Sequence, residues 1–468
     1  MKRRRFLAAL GTGILSLSAG SMFTSTLAQC QASFPPGRAA GGVQRLPNIV
    51  VLIADDLGWN DIGYHGSEIR TPNLDKLAAE GVRLEHHYVY PTCSPTRAGL
   101  LTGCNPMRFA IYGPIADRSG AALPKSTVTL PGMLRTRAYF TALVGKWHLG
   151  LRPQVGPRQY GFAQTYGYLH GQIDQYTHRY KNGDRTWHRN DRFVDEEGHA
   201  TDLIAAEAVR IILRSREQPL LLWVAFSVPH HPVQEEPQWL EPYQQSIQDP
   251  SRRLYAASVT HMDAAVGRIV KALEEAGQLD NTLLFFTSDN GGQQNYASST
   301  EYGGKHGPYP TLGDNRPLRG WKGELYEGGI RVPAFVHWRG RLRPVVVQER
   351  ISLLDWFPTL AFLAGAEIAE EWKIEGRNIW PILAGERTFV APPVLYWKTD
   401  AAQGLLEGDW KLIVSGITGS TAELYNLAAD PTEQKDLAAE YPGRVESLGR
   451  ILADRVSQPV QQENRTKP

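Results

Sequence analysis

Short apolar runs alternate with amphipathic segments along this chain after residue 46. Residues 49–53, 140–144, 220–226 and 283–286 are near-continuous apolar runs of strand length, the pattern expected of strands covered on both faces. The segments between them carry helical signals. Thr71-Pro72 supplies a cap residue and a proline at the first helical position, and Gly81 closes that segment. Two more helical segments span 201–216 and 253–276, the second closed by Gly277. No internal repeat or long low-complexity tract interrupts the alternation. Strands and helices taken in turn predict an α/β fold, with a mostly parallel central sheet flanked by helices.

Each apolar run ends in ionisable or amide residues. The first leads into Asp55 and Asp56, the second into Lys146 and His148, the third into His230 and His231, and the fourth into Asp289 and Asn290. In an open α/β sheet, ligands bind outside the carboxyl ends of the strands. Four such ends therefore predict one shared site. Asp55, Asp56, Asp289 and Asn290 are hard oxygen donors suited to Ca²⁺ or Mg²⁺. Clustered without a cation, their carboxylates would repel and raise one another's pKa. Taken singly, an Asp-Asp or Asp-Asn pair reads as a helix cap or a turn. Lys146, His148, His230 and Lys322 are donors suited to an oxyanion. A lone histidine reads as a packed or surface group, and only the joint pattern outweighs that reading.

Length and composition narrow the class. A chain of 468 residues implies two or three domains, or one large α/β domain with an appendage. Apolar content of 42% with 21% charged residues is that of a soluble globular protein. A net charge of +2 gives no general pull toward nucleic acid, so any anion recognition is local. At the N-terminus, Lys2, Arg3, Arg4 and Arg5 precede a mostly apolar stretch over 6–17. That stretch is too short and too interrupted for a membrane span, and reads as an export signal over 1–28 followed by a linker over 29–45. Arg3-Arg4-Arg5-Phe6-Leu7 resembles a twin-arginine signal; an ordinary secretory signal is the competing reading. Both place the mature protein outside the cytoplasm, in a bacterial periplasm or the medium. Cys30 after Leu27-Ala28-Gln29 would suit lipoprotein anchoring, but Gln29 is bulky where a small residue is wanted. Cys93 and Cys104 are the remaining thiols, and their count alone leaves a disulfide open.

Cys93-Ser94-Pro95-Thr96-Arg97, followed by Leu100-Leu101-Thr102-Gly103, resembles the signature of the type I, formylglycine-dependent sulfatases. The segments NIVVLIADDLGWNDIGYHG, GKWHLG, PHHP, SDNGG and LRGWKGELYEGGIRVP stand in that family's order, and ELYNLAADPTEQKDLA resembles its C-terminal segment. The resemblance implies an alkaline-phosphatase-like catalytic domain over 46–387. A smaller C-terminal α+β domain with an antiparallel sheet would follow over 388–468, with strands at 394–397 and 410–414. Packing is the default role for that piece. The resemblance further implies that a formylglycine-generating enzyme oxidises Cys93 to an aldehyde, which hydrates to a diol. A positioned oxygen nucleophile helps against an unreactive sulfate ester, and its second hydroxyl allows sulfate to be expelled. A helix over 95–101 would favour negative charge at its start. Asp55, Asp56, Asp289, Asn290 and modified Cys93 are then the expected ligands of one Ca²⁺. Arg97 and Lys146 would support the diol, His148 would be the base, and His230 and Lys322 would bind sulfate and protonate the leaving alcohol. Pairing Cys93 with Cys104 would remove the nucleophile, so the disulfide reading weakens.

The leaving group is less determined. Residues 167–200 hold Arg179, Lys181, Arg185, Trp187, His188 and Arg189, which are candidates for the mouth of the pocket, with Arg179, Trp187 and His188 foremost. The same stretch reads equally as a solvated loop with aromatic residues packed beneath it. The expected substrate is a sulfated carbohydrate or an aryl sulfate. A phosphonate monoester or phosphodiester hydrolase is the nearest rival, and a noncatalytic sulfated-glycan-binding protein is another.

Overall fold

The computed structural model describes residues 45–458 apart from 118, 216, 299, 387–392 and 417–420. The predicted export signal, Cys30 and the domain break at 387/388 lie outside the described residues.

Ten strands form one sheet: β1 (Asn48–Asp55), β2 (Val82–Tyr88), β3 (Phe140–Lys146), β4 (Gln164–Tyr168), β5 (Trp187–Arg189), β6 (Arg192–Phe193), β7 (Leu220–Pro229), β8 (Thr282–Ser288), β9 (Ala334–His337) and β10 (Val345–Ser352). Their order is β10-β2-β9-β8-β1-β7-β3-β4-β5-β6. The middle, β8-β1-β7-β3-β4, is wholly parallel. Antiparallel pairings flank it, β9 lying between β2 and β8, and β5 between β4 and β6. Every residue of β1 and of β7 is buried, which is why these strands read as unbroken apolar runs.

The period-2 alternation of each strand divides the core into two layers. Val50 and Leu52 join α3 (Ala200–Arg214) and α4 (Pro250–Glu275) through Ile204, Ala208, Val259 and Val266. Ile49, Val51 and Ile53 face α2 (Cys93–Thr102) and α5 (Trp356–Leu363) through Leu100, Leu101 and Phe357. α1 (Pro72–Glu80) begins with Pro72 and ends before Gly81, as its boundary residues predict. The other two predicted helices start earlier than expected. His199 accepts from Thr201 N at the head of α3, and Asp249 accepts from Arg252 N at the head of α4. Both are side-chain caps upstream of the periodic segments.

A second sheet, β11 (Leu395–Lys398), β12 (Ala402–Glu407), β13 (Trp410–Ser415) and β14 (Thr421–Asn426), is antiparallel throughout. One face packs Leu405, Leu412 and Leu424 on Leu448 and Leu452 of α6 (Pro442–Val456). Its other face sends Trp397, Leu406, Ile413 and Tyr425 into the core of the large sheet. No described helix is long and apolar enough to cross a membrane.

Candidate active site

The carboxyl ends of β1, β3, β7 and β8 meet, as their sequence endings predict. β1 stops at Asp55, and Asp56 turns the chain in the left-handed region with φ of 71°. Asp289 N donates to Ala54 O at 3.1 Å, and Asp56 N donates to Asp289 Oδ1 at 3.3 Å. The tips of β1 and β8 are thus tied together. Near the end of β3, a Cβ on Gly145 would lie 1.8 Å from Ala225 O, so only glycine lets β3 approach β7 here.

Cys93 is the first residue of α2, two positions ahead of the predicted start, and is 2% exposed. Its Sγ lies 3.1 Å from His148 Nδ1. His148 Nε2 lies 3.2 Å from the carbonyl of Ile115, which can only accept. That contact puts the ring proton on Nε2 and leaves the Nδ1 lone pair facing residue 93. Burial, with Lys146 and Arg97 nearby, holds His148 well below the usual imidazole range. It is a neutral base at neutral pH. Burial also pushes the Cys93 thiol up, against the pull of Lys146 and Lys322. Ser94 Oγ donates to His148 O at 2.8 Å and accepts from Ile115 N at 3.0 Å, so the residue after Cys93 fixes the same histidine.

The carboxylates stand beside this pair. One ligand atom each from Asp55, Asp56 and Asp289 lies within 4.8 Å of the others. Lys146 Nζ donates to Asp55 Oδ2 at 2.6 Å, and Lys322 Nζ donates to Asp56 Oδ2 at 2.7 Å. Arg97 turns onto Asp289, with Nε at 3.0 Å and Nη2 at 2.6 Å from Oδ2, while its Nη1 donates to Lys146 O at 3.2 Å. Burial pushes Asp55 up to about 8, reinforced by Asp289 and opposed by Lys146. Burial works the same way on Asp289, but Arg97, Lys146 and Lys322 outweigh it and hold that carboxyl low. Asn290 Nδ2 donates to Asp56 Oδ1 at 2.8 Å. Two buried oxygens, Asp55 Oδ1 and Asn290 Oδ1, have no hydrogen-bond partner. Repelling carboxylates with orphaned hard oxygens fit a divalent cation such as Ca²⁺. His230 completes the group: its Nε2 lies 3.7 Å from Asp56 Oδ2, and its Nδ1 donates to His231 O at 2.6 Å.

A cleft of about 700 Å³ opens over Cys93, His148, His230 and Lys322. Its outer wall carries Asp117, Gln172, Tyr180, Lys181, His231 and Gln293. Of these, Lys181 is one of the wider sequence candidates for the mouth; Gln172, Tyr180 and Gln293 are not, because isolated amides and a tyrosine carry no sequence signal. The three foremost candidates lie elsewhere. Trp187 is 2% exposed on β5, its ring stacked on His178 at 4.5 Å. His188 is 1% exposed and burial pushes it down to about 4. Both residues are absorbed by the sheet, in a strand that the charged flanking residues conceal. Arg179 is turned to Asp195 at 2.8 Å. Cys93 and Cys104 are both free thiols. Cys104 Sγ faces Arg108 Nη1 at 3.1 Å, and burial pushes its thiol up to about 11.

A family model described as Sulfatase matches residues 47–366. This chain belongs to the sulfatase family. The sulfatase is 32% identical over 484 residues to arylsulfatase J of Mus musculus, covering 90% of this chain and 77% of that protein. It is 32% identical over 469 residues to N-acetylgalactosamine-6-sulfatase of Homo sapiens, covering 89% and 86%. The crystal structure of Ps i-CgsB in complex with k-i-k-neocarrahexaose superimposes with a TM-score of 0.80 at 28% identity, covering 90% of this chain and 96% of that one. The sulfatase is an enzyme of the alkaline-phosphatase superfamily that hydrolyses sulfate esters.

Proposed function

We propose that this sulfatase cleaves a sulfate monoester on a carbohydrate, with Cys93 converted to formylglycine by a separate generating enzyme. The observation that carries the reading is the Cys93–His148 pair. A buried side chain at the head of α2 sits 3.1 Å from a histidine nitrogen whose lone pair is free to take a proton. Hydrated formylglycine would supply an oxygen nucleophile with a second hydroxyl, which a thiol lacks. Asp55, Asp56, Asp289, Asn290 and residue 93 would hold Ca²⁺, which polarises sulfate oxygens and acidifies a bound hydroxyl.

The remaining roles belong to the chain itself. Lys322 and His230 flank Asp56 at the cleft floor, where Lys322 meets negative charge on the sulfate and on the departing oxygen. Burial works to lower Lys322, but Asp56 outweighs it, so the ammonium persists as a standing proton donor. His148 Nδ1 accepts the proton from residue 93. Arg97 and Lys146 fix Asp289 and Asp55 in place, and so act on residue 93 through the carboxylates. Gln172 and Lys181, which both donate to Glu301 at 2.8 and 2.6 Å, line the cleft with Tyr180 and Gln293, a polar set suited to sugar hydroxyls. Kinship with N-acetylgalactosamine-6-sulfatase points the same way.

The test begins with the intact mass of the peptide carrying Cys93 after co-expression with a generating enzyme. Conversion removes about 18 Da, as expected when a thiol becomes an aldehyde. Converted protein is then offered an aryl sulfate, an aryl phosphodiester and sulfated oligosaccharides side by side. Sulfate release from the sugar supports the reading; faster phosphodiester turnover, or an unconverted thiol with binding alone, overturns it.

A further inference from the structure

Lys322 reaches the cleft from a loop that closes on itself, with Gly328 N donating to Arg319 O at 2.7 Å. At the tip, Gly323 N donates to Pro91 O at 2.7 Å, two residues before Cys93, and Lys322 N donates to Gly292 O at 3.2 Å. The base of the loop is held from the C-terminal segment. Arg319 Nη1 donates to the main-chain oxygen of Glu433 at 2.9 Å, and Glu327 N donates to Glu433 Oε2 at 2.7 Å. One residue therefore grips both stems.

Glu433 is built for that grip. It is 0% exposed, and its backbone sits in the left-handed region with φ of 56°. Lys411 Nζ from β13 lies 2.8 Å from Glu433 Oε1 and 2.9 Å from Glu327 Oε1, with no exposure of its own side chain. Tyr88 OH donates to Glu327 Oε2 at 2.9 Å. Buried ion clusters of this sort are poor sources of stability, since desolvation offsets most of their attraction. They do fix geometry. A displacement of about 1 Å at a catalytic group costs on the order of a hundredfold in rate.

We propose that Glu433 is a positioning residue for Lys322, gripping both stems of loop 319–328 so that the ammonium stays at Asp56 beside the nucleophile. The C-terminal segment thereby takes part in the reaction without touching substrate. The proposal rests on the reading of Lys322 as the group that meets charge on the departing oxygen.

The test compares two esters on the same converted preparation, 4-nitrophenyl sulfate, whose phenol leaves readily as an anion, and phenyl sulfate, whose phenol needs help. The ratio of the two rates cancels differences in conversion and in folded fraction. Lys322→Met is the reference, expected to slow phenyl sulfate about tenfold more than the nitro ester, within the range of a general acid. Glu433→Ala is expected to reproduce that selective loss in smaller measure, and Glu433→Gln, which keeps an acceptor for Glu327 N, to restore the ratio. Arg319→Gln, altering a side chain that is 39% exposed, releases the other stem and carries the test should Glu433→Ala not fold. An unchanged ratio in both Glu433→Ala and Arg319→Gln, alongside a changed one in Lys322→Met, overturns the proposal. An unchanged ratio in Lys322→Met overturns the leaving-group role itself, and the proposal with it.

Discussion

Asp55 Oδ2 accepts from Lys146 Nζ at 2.6 Å, while Asp55 Oδ1, equally buried, has no hydrogen-bond partner. One oxygen of the carboxylate is spoken for, while the other has only the Arg97 guanidinium, with Nη2 at 4.0 Å and outside hydrogen-bond reach. Asn290 Oδ1 likewise lacks a hydrogen-bond partner.

Ca²⁺ should therefore stabilise the folded protein directly. A ligand that binds only the folded state adds about 2.7 kcal/mol at a hundred times its Kd. Thermal melts with Ca²⁺, with Mg²⁺ and with chelator should show the highest Tm in Ca²⁺ and the lowest in chelator. Asp289→Asn and Asn290→Ala should lose the response to the ion. A wild-type Tm indifferent to Ca²⁺ would exclude a resident calcium.

The two thiols should separate cleanly. Cys93→Ala should abolish turnover with little change in melting, because the side chain is small and its partner His148 keeps its bond to Ile115 O. Cys104→Ala should retain most activity and lose about 1 kcal/mol of stability, the ordinary cost of a small buried change. Urea unfolding and sulfate release measure both. Equal loss of activity in the two variants would argue that the thiols act together.

The site was legible because its residues come directly after apolar runs. Asp55, Asp56, Lys146, His148, His230, Asp289 and Asn290 all terminate strands buried on both faces, which read plainly in sequence. Strand β10 did not, because Val345 and Val346 are exposed at the sheet edge and charged residues interrupt the run. Trp187 and His188 misled for a related reason. A three-residue strand set among arginines looks like a surface loop, and only its pairing with β4 shows that it is sheet. The grip of Glu433 on the Lys322 loop was beyond reach, since both of its contacts with the loop involve main-chain atoms that no side-chain pattern encodes.

His148→Ala should lower kcat by about 10²–10⁴-fold, the span of a lost general base, with KM changed little. The reason is geometric. His148 Nδ1 faces residue 93 rather than the outer wall of the cleft, so its removal leaves Gln172 and Lys181 of that wall in place. Steady-state kinetics on an aryl sulfate decides the matter. A rise in KM with kcat preserved would move His148 from proton transfer to substrate binding.

Outside the residues that line the cleft, His261 on α4 should govern stability in alkaline solution. Its Nδ1 lies 2.8 Å from Glu235 Oε2 and its Nε2 lies 3.3 Å from Asp202 Oδ1, so both nitrogens face carboxylates. Burial works to lower its pKa, but these two contacts outweigh it and push the imidazole up to about 9. The same contact with His261, with Arg268 also close, brings Asp202 down to about 2. A folded-state pKa above the unfolded value means that protonation favours the fold. Below the unfolded value near 6.5 the contribution is complete, and it fades as pH rises through about 9. Its upper size is ~3 kcal/mol, from a shift of that length. Urea unfolding of wild type and His261→Gln should therefore differ most at pH 6, with the gap narrowing steadily into alkaline solution. A gap that stays constant across that range would mean that the ring acts through packing on Trp239, which it stacks at 4.4 Å, and not through its charge.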